Sequence, residues 1–466
     1  MREPVSFVSR ADALLGTHEA RAVDRGMRLM SASRTAALAE LPWSEELRDR
    51  ARAIRLEALS DLDRLLDTFA DRLTANGGQV HFAADAAEAN EIVAGILADS
   101  SARLVAKSKS MVSEEIELNH HLQGRGIEVV ETDLGEFIAQ LAGDTPSHII
   151  APVLHLTRED VGRVFAEELD VPYTDDPVAL NQIAREHLRE VFLTADAGIS
   201  GVNMAVADTG SLVIVTNEGN GRLITTAPRV HIALMGMERI VSRWDEASVI
   251  LEVLARSATG QRLSVYTNVI TGPRRDADPD GPDELHVVII DNGRSDILGG
   301  PTAEILACIR CGACLNICPV FRTVGGHAYG TVYSGPVGSV VTPGLLGMDP
   351  WWDLPYASTL CGACQEVCPV RIQIPAMLLK LRERAAAEGR LPGWLEKGMA
   401  RYASTAVEPK RWARAKRWAR RLSALISVRG WIRRIPGPAR GWTRYRDLPR
   451  PARESFTDWW RSNRGT

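Results

Sequence analysis

Cys308-Ile-Arg-Cys311-Gly-Ala-Cys314-Leu-Asn-Ile-Cys318-Pro319 is the stretch on which the reading of this 466-residue chain turns. Its C-x2-C-x2-C-x3-C-P spacing puts three thiolates on one short loop, where they can reach three corners of a cubane [4Fe-4S] cluster. The turn and proline that follow direct the fourth thiolate away, toward a second cluster. The pattern therefore demands a second cysteine motif.

That motif is Cys361-Gly-Ala-Cys364-Gln-Glu-Val-Cys368-Pro369, and the position where its first cysteine would stand is Ser358. All seven cysteines of the chain lie between 308 and 368. Applying the ligand crossover of bacterial two-cluster ferredoxins assigns Cys308, Cys311, Cys314 and Cys368 to cluster one. Cys318, Cys361 and Cys364 go to cluster two, which is one thiolate short. Its fourth iron is held by Ser358 Oγ, another side chain, solvent or a partner subunit, or it is absent, which would leave a [3Fe-4S] cluster; the sequence keeps all of these open. Zinc sites use four-ligand tetrahedral sets on separated knuckles, which this triple-cysteine loop does not match. Disulfides fit poorly with an odd cysteine count and with a chain that shows no signal-peptide hydrophobic region.

Working outward from the cysteines, Gly299-Gly300-Pro301 marks a change of composition and a boundary. Upstream, short apolar runs alternate with amphipathic stretches: Val80 to Ala83, Leu104 to Ala106, Ile127 to Val130 and His148 to Ala151 read as strands. Met204 to Val206, Leu212 to Thr216, His231 to Leu234 and His286 to Asp291 continue the series. This alternation predicts a mostly parallel, helix-covered sheet running to residue 291. The first 75 residues read as helical, with one helix over Glu46 to Leu73 starting near Pro42 and Ser44. Between the cysteine motifs, Gly325 to Pro355 reads as a long ordered loop, and beyond Pro375 the chain is helical again and then Arg/Trp-rich. The expected organisation is 1–75 helical segment, 76–299 α/β domain, 300–385 two-cluster domain and 386–466 basic tail.

Hydrophobic residues at 45% and charged residues at 24% are those of a globular protein, and no apolar run is long enough to span a bilayer. The reading is cytoplasmic. The net charge of -4 hides an asymmetry: from Arg401 on there are 18 Lys/Arg against 4 Asp/Glu, leaving 37 against 55 in the first 400 residues. In Arg411 to Arg421 the tail interleaves Trp412 and Trp418 with basic residues. Docking on the acidic body or on a partner is the first reading, with peripheral membrane contact second; no nucleic-acid partner is expected.

Two loops after predicted strands are candidate ligand sites. In Thr216-Asn217-Glu218-Gly219-Asn220-Gly221-Arg222 the glycines would permit close backbone approach, Arg222 could pair with an anion and Glu218 is a weak catalytic candidate for proton transfer. Asn217 and Asn220 complete that loop. Lys107 and Lys109 form the second candidate, although Ser110 or Ser113 with the nearby acids also reads as an ordinary helix start. No G-x-G-x-x-G fingerprint follows a strand, so NAD is disfavoured. His120 and His121 are read as surface residues.

Several strings resemble lactate utilisation protein B, a family of iron–sulfur subunits in bacterial lactate oxidation. They are Val215 to Arg222, Cys308 to Arg322, Gly325-Gly-His-Ala-Tyr329, Ser358 to Cys364 and the ending Glu454-Ser-Phe-Thr-Asp-Trp-Trp460. The resemblance implies an α/β fold: a LUD-type, Rossmann-like domain similar to sugar-isomerase and CoA-transferase folds, followed by a ferredoxin-like, helical domain with two [4Fe-4S] clusters. It further implies an electron-transfer subunit of a system converting L-lactate to pyruvate, with a cysteine-rich subunit and a second LUD-domain subunit as partners. Competing readings are a stand-alone iron–sulfur oxidoreductase with its own site in the α/β domain, and a cluster-based regulator.

Overall fold

A computed structural model describes residues 6–444 and 446–464; residues 1–5 of the helical segment and 445, 465 and 466 of the tail lie outside the described residues. The chain opens with helices Phe7–Leu14, His18–Ala39, Ser44–Ser60 and Leu62–Ala75. Ser6 and Thr17 cap the first two by accepting backbone N–H bonds. The continuous helix expected over Glu46 to Leu73 is broken at Asp61, whose φ of -128° is not helical. The break lets the two halves serve different neighbours. Leu62, Leu65, Phe69 and Leu73 pack into the α/β core, while the preceding helix sends Arg48 and Arg55 to the cysteine segment.

The α/β part contains strands β1 (Gln79–Ala83), β2 (Leu104–Lys107), β3 (Glu128–Glu131), β4 (Ala197–Gly201), β5 (Met204–Val206), β6 (Ser211–Thr216), β7 (Val230–Gly236), β8 (Ile240–Val241), β9 (Tyr266–Ile270) and β10 (Glu284–Ile290). Six of them form a parallel sheet in the order β1-β10-β7-β4-β2-β3, with Gln79 opposite His286, Glu284 opposite Val230 and Ala197 opposite Val230. All seven residues of β7 are buried, as a central parallel strand covered on both faces requires. One face packs on Val93, Leu97, Leu118 and Leu122, the other on the Leu62–Ala75 helix.

The expected α/β class holds, with two corrections to its strands. The later strands do not all extend one sheet: β5, β6, β8 and β9 form a separate four-stranded sheet, β8-β5-β6-β9, in which β6 is antiparallel to both neighbours. Period-two patterning identifies a strand but not its partner. Residues His148 to Ala151 are not a strand. His148 Nδ1 accepts the N–H groups of Ile150 and Ala151, both at 3.2 Å, closing a tight bend in which those donors cannot pair with a neighbouring strand.

A third correction concerns residues 325–355, expected as loop. They contain helix Gly335–Leu345, which buries Val337, Val340 and Val341 despite its glycines and prolines. Pro336 sits in the first turn, where its missing N–H costs nothing, and tertiary burial outweighs the poor propensity.

The compact unit that includes all of this ends at Glu383, and a second unit runs from Arg384. Taken by itself, the second unit holds helices Gly393–Ala406, Pro409–Ile426 and Phe456–Asn463 and a short antiparallel pairing of Trp431–Ile432 with Leu448–Pro449. Tyr402 packs edge-on against Trp412 with ring centroids 5.7 Å apart. No described helix is long and apolar enough to cross a membrane.

Candidate iron–sulfur centre and the adjoining cavity

The two cysteine loops have the same backbone. Arg310 and Gly312 have φ of +58° and +74°, and their counterparts Leu360 and Gly362 have +55° and +86°. Left-handed residues at these two places curl each loop so that its side chains converge on one side. Cys308 Sγ accepts the N–H of Arg310 at 3.3 Å, and Ser358 Oγ accepts the N–H of Leu360 at 3.1 Å. Ser358 thus occupies, in its own loop, the place Cys308 has in the first.

Cys308, Cys311, Cys314 and Cys368 line one enclosed space, walled by Ile149, Val337, Ile372 and Ile374. Burial, and then repulsion from Cys368 and Cys308, pushes the Cys311 thiol upward; Cys314 is raised by burial and then by Cys308, Cys311, Cys364 and Cys368. Burial raises Cys364 to about 12, with Cys318 and Cys361 as its charged neighbours. Burial likewise raises Cys368 to about 11, opposed by the N–H of Ile372, which donates to its Sγ at 3.4 Å. Cys361 goes the other way, lowered by backbone N–H donation at Ala363. Buried thiols gathered this closely, as Cys311, Cys314, Cys364 and Cys368 are, are unfavourable as free thiolates and well suited to ligate iron, which offsets their burial and mutual repulsion. The residues therefore fit the clusters expected of them, grouped as 308/311/314/368 and 318/361/364.

The cysteine segment is held to the rest of the fold by arginines that nothing in the motifs announced. Arg48 donates to Cys368 O at 2.9 and 3.3 Å and to Glu366 O, and Arg34 donates to Val367 O at 2.7 Å. Arg239 donates to Cys308 O at 3.2 Å. Arg55, wholly buried, spans Ile240 O at 2.6 Å, Leu306 O at 3.3 Å and Ala307 O at 3.4 Å, and also reaches Glu238 O. These positive groups surround the thiolates with compensating charge. Their sequence positions are scattered over two helices and the connection from β7 to β8, so only their burial betrays them.

The string Gly325-Gly-His-Ala-Tyr329 has a steric explanation. A Cβ on Gly326 would lie 1.7 Å from Ser147 O, so only glycine allows the loop after Cys318 to touch the α/β domain there. His327 donates to Thr145 O at 2.8 Å beside it.

A cavity of about 640 Å³ opens between the ends of β2 and β4. The chain proceeds outward from β2 to β3 on one side and from β4 to β7 on the other, so the crevice lies at a topological switch point of the parallel sheet. Of the sequence candidates, Lys109, Asn217, Glu218 and Asn220 line it. Lys107 does not: it is fully buried, 2.6 Å from Glu131 and 3.1 Å from Glu114, and is spent on that ion cluster. Arg222 is exposed on helix Asn220–Thr226 and lines no part of the cavity. Ser110 caps a short helix through the N–H of Ser113, as the ordinary reading had it. Burial, then the nearby Asp133, raises the Glu218 carboxyl to about 7, and Leu134 N–H donates to it at 3.1 Å. Lys109 lies 2.7 Å from Glu136, a buried carboxyl that burial raises well above its usual range. Asp133 and Glu136 carried no recognisable sequence signal.

A family model of the LUD domain matches residues 66–290, and one of the 4Fe-4S dicluster domain matches residues 304–372. Among curated relatives, lactate utilization protein B of Bacillus licheniformis is 46% identical over 445 residues, covering 95% of this chain and 93% of that protein. The Bacillus subtilis protein of the same name is 45% identical over 440 residues, 94% of this chain and 92% of its own length. That of Macrococcus caseolyticus is 46% identical over 425 residues, 89% and 88%.

Proposed function

The chain belongs to the lactate utilization protein B family and carries a 4Fe-4S dicluster domain, and from that premise we propose that it is the cytoplasmic electron-transfer subunit of a system oxidising L-lactate to pyruvate. The observation that carries the reading is the interleaving of the two cysteine loops, Cys368 grouping with Cys308, Cys311 and Cys314, and Cys318 with Cys361 and Cys364. Interleaved ligands hold two redox centres close together in a shared shell, an arrangement suited to passing electrons.

In this reading Cys308, Cys311, Cys314 and Cys368 hold cluster one, and Cys318, Cys361 and Cys364 hold cluster two with Ser358 at its fourth corner. Each cluster, when bound, supplies one-electron storage at a potential set by charge, hydrogen bonding and exposure. The chain's own residues set those terms. Arg48 and Arg239 fix the ligand loops through their carbonyls, the N–H groups of Arg310 and Ile372 stabilise thiolate charge, and Ile149, Val337 and Ile374 exclude water from the first site. A cysteine-rich subunit and a second LUD-domain subunit complete the system.

The test is iron and acid-labile sulfide per chain after anaerobic purification, with EPR of oxidised and dithionite-reduced protein. About eight irons with two cubane signals support two four-iron clusters. Zinc without labile sulfide would overturn the reading. Lactate should reduce the clusters only when the partner subunits are present.

A further inference from the structure

We propose that the cavity at the switch point between β2 and β4 binds a planar, carbonyl-bearing redox ring of the flavin or quinone class, one side-chain layer from cluster one. Ile149, Ile309 and Arg310 line both this cavity and the space enclosed by Cys308, Cys311, Cys314 and Cys368. They form the partition between them. A ligand in the cavity therefore touches the same side chains that touch the first site.

Size decides the ligand class. At about 640 Å³ the cavity is several times larger than a three-carbon acid and falls within the range of cofactor-sized ligands. Its walls include Ile138, Ile150, Val202, Ile214, Leu254 and Ile309, which suit the faces of a flat ring. Polar groups line it at several points, Lys109, Asp133, Asn203 and Arg239 among them, and two places bear on a ring. At one, Arg310 stacks on Tyr333 at 4.3 Å and faces Glu238 with Nη2 at 3.8 Å. That leaves its buried Nε–H and Nη1–H with no acceptor among the described residues. These inaccessible donors lie within the partition, where their positive charge favours the negative charge a ring gains on reduction. At the other lie Asn217, Asn220 and the Glu218 carboxyl. With its pKa near 7, Glu218 can exchange a proton with such a ring.

The chemistry gives the ring a task, and this clause rests on the lactate reading. Converting a 2-hydroxy acid to a 2-oxo acid breaks one O–H and one C–H bond and releases two protons and two electrons. A ring that accepts both electrons and both protons becomes its dihydro form. It can then return the electrons singly to a one-electron cluster and the protons to Glu218 and solvent.

The experiment uses the full chain, purified anaerobically with its clusters. FMN, riboflavin and menadione are titrated separately by calorimetry and by quenching of flavin fluorescence, and the half-reduced mixture is examined by EPR. The expected result is micromolar binding of at least one probe and a ring radical signal broadened by the reduced cluster; the probe that binds distinguishes flavin from quinone. Ile150→Trp, which fills the cavity, should weaken binding by about tenfold or more. If Ile150→Trp fails to fold, the radical broadening in the unsubstituted protein decides. Absence of binding for all three probes at millimolar concentration overturns the inference, as does binding with neither radical broadening nor sensitivity to Ile150→Trp. Lactate oxidation by the complete system without ring binding would sink the cavity and spare the lactate reading. Ring binding in a system inert toward lactate would do the reverse.

Discussion

Replacing Ser358 by cysteine should make the second of the two proposed cluster sites the equal of the first. The loops around Cys308 and Ser358 have matching left-handed residues, and each side chain already accepts the N–H two residues on, at 3.3 and 3.1 Å. A thiol placed at Ser358 therefore points where the first loop's thiol points, with no backbone change. The two ligands differ in acidity. A cysteine thiol ionises near 8.5, whereas a serine hydroxyl ionises several units higher, and each unit adds about 1.4 kcal/mol to the cost of the anionic ligand. In the proposed assignment, iron at the Ser358 corner is accordingly the most readily lost. Mild ferricyanide oxidation should remove about one iron of eight from the unsubstituted protein and produce a three-iron EPR signal near one spin per chain. Ser358→Cys should keep about eight irons and show almost none of that signal. Equal loss from both proteins would refute the argument, because it would mean that the labile corner faces something other than residue 358.

Three further outcomes are expected. Arg55→Met removes a buried guanidinium from Ile240 O, Leu306 O, Ala307 O and Glu238 O and should cost about 3–5 kcal/mol, read as a lower urea midpoint and faster bleaching of the clusters; a change under about 1 kcal/mol would show that water replaces it. Glu218→Gln should alter the pH profile of stability: a carboxyl raised from 4.5 to about 7 on folding favours the fold below about pH 4.5, and that contribution is lost as pH rises through 7. The glutamine protein should therefore gain up to about 3 kcal/mol over the parent at pH 8 relative to pH 4.5, and parallel profiles would show that Glu218 is not buried as described. Gly326→Ala, with its Cβ 1.7 Å from Ser147 O, should cost more than about 4 kcal/mol or give insoluble protein, whereas Gly362→Ala, with open space around it, should suffer only from its positive φ.

Sequence alone determined the covalent constraints of this protein. The spacing of Cys308, Cys311 and Cys314 names the cofactor because three thiolates on one short loop have few uses, and the alternating apolar runs name an α/β fold because their periods are local properties of the backbone. Ser358 was legible as the residue standing where the second motif's first cysteine would be, and the two loops match there. What the sequence could not express is which elements meet. Strands β5, β6, β8 and β9 have the same patterning as the parallel strands but form their own sheet, since pairing partners are chosen by long-range packing. His148 to Ala151 looked like a strand because a buried bend and a buried strand are equally apolar. Lys107 and Lys109 are two residues apart, and a continued strand would put both on one face; β2 instead ends at Lys107, which closes into an ion cluster, while Lys109 lies beyond the strand on the cavity. Arg48, Arg55 and Arg239, far apart in the chain, become the charged shell of the cysteine loops only when the fold brings them there, because a guanidinium is buried without heavy cost only where carbonyls converge to accept its hydrogen bonds.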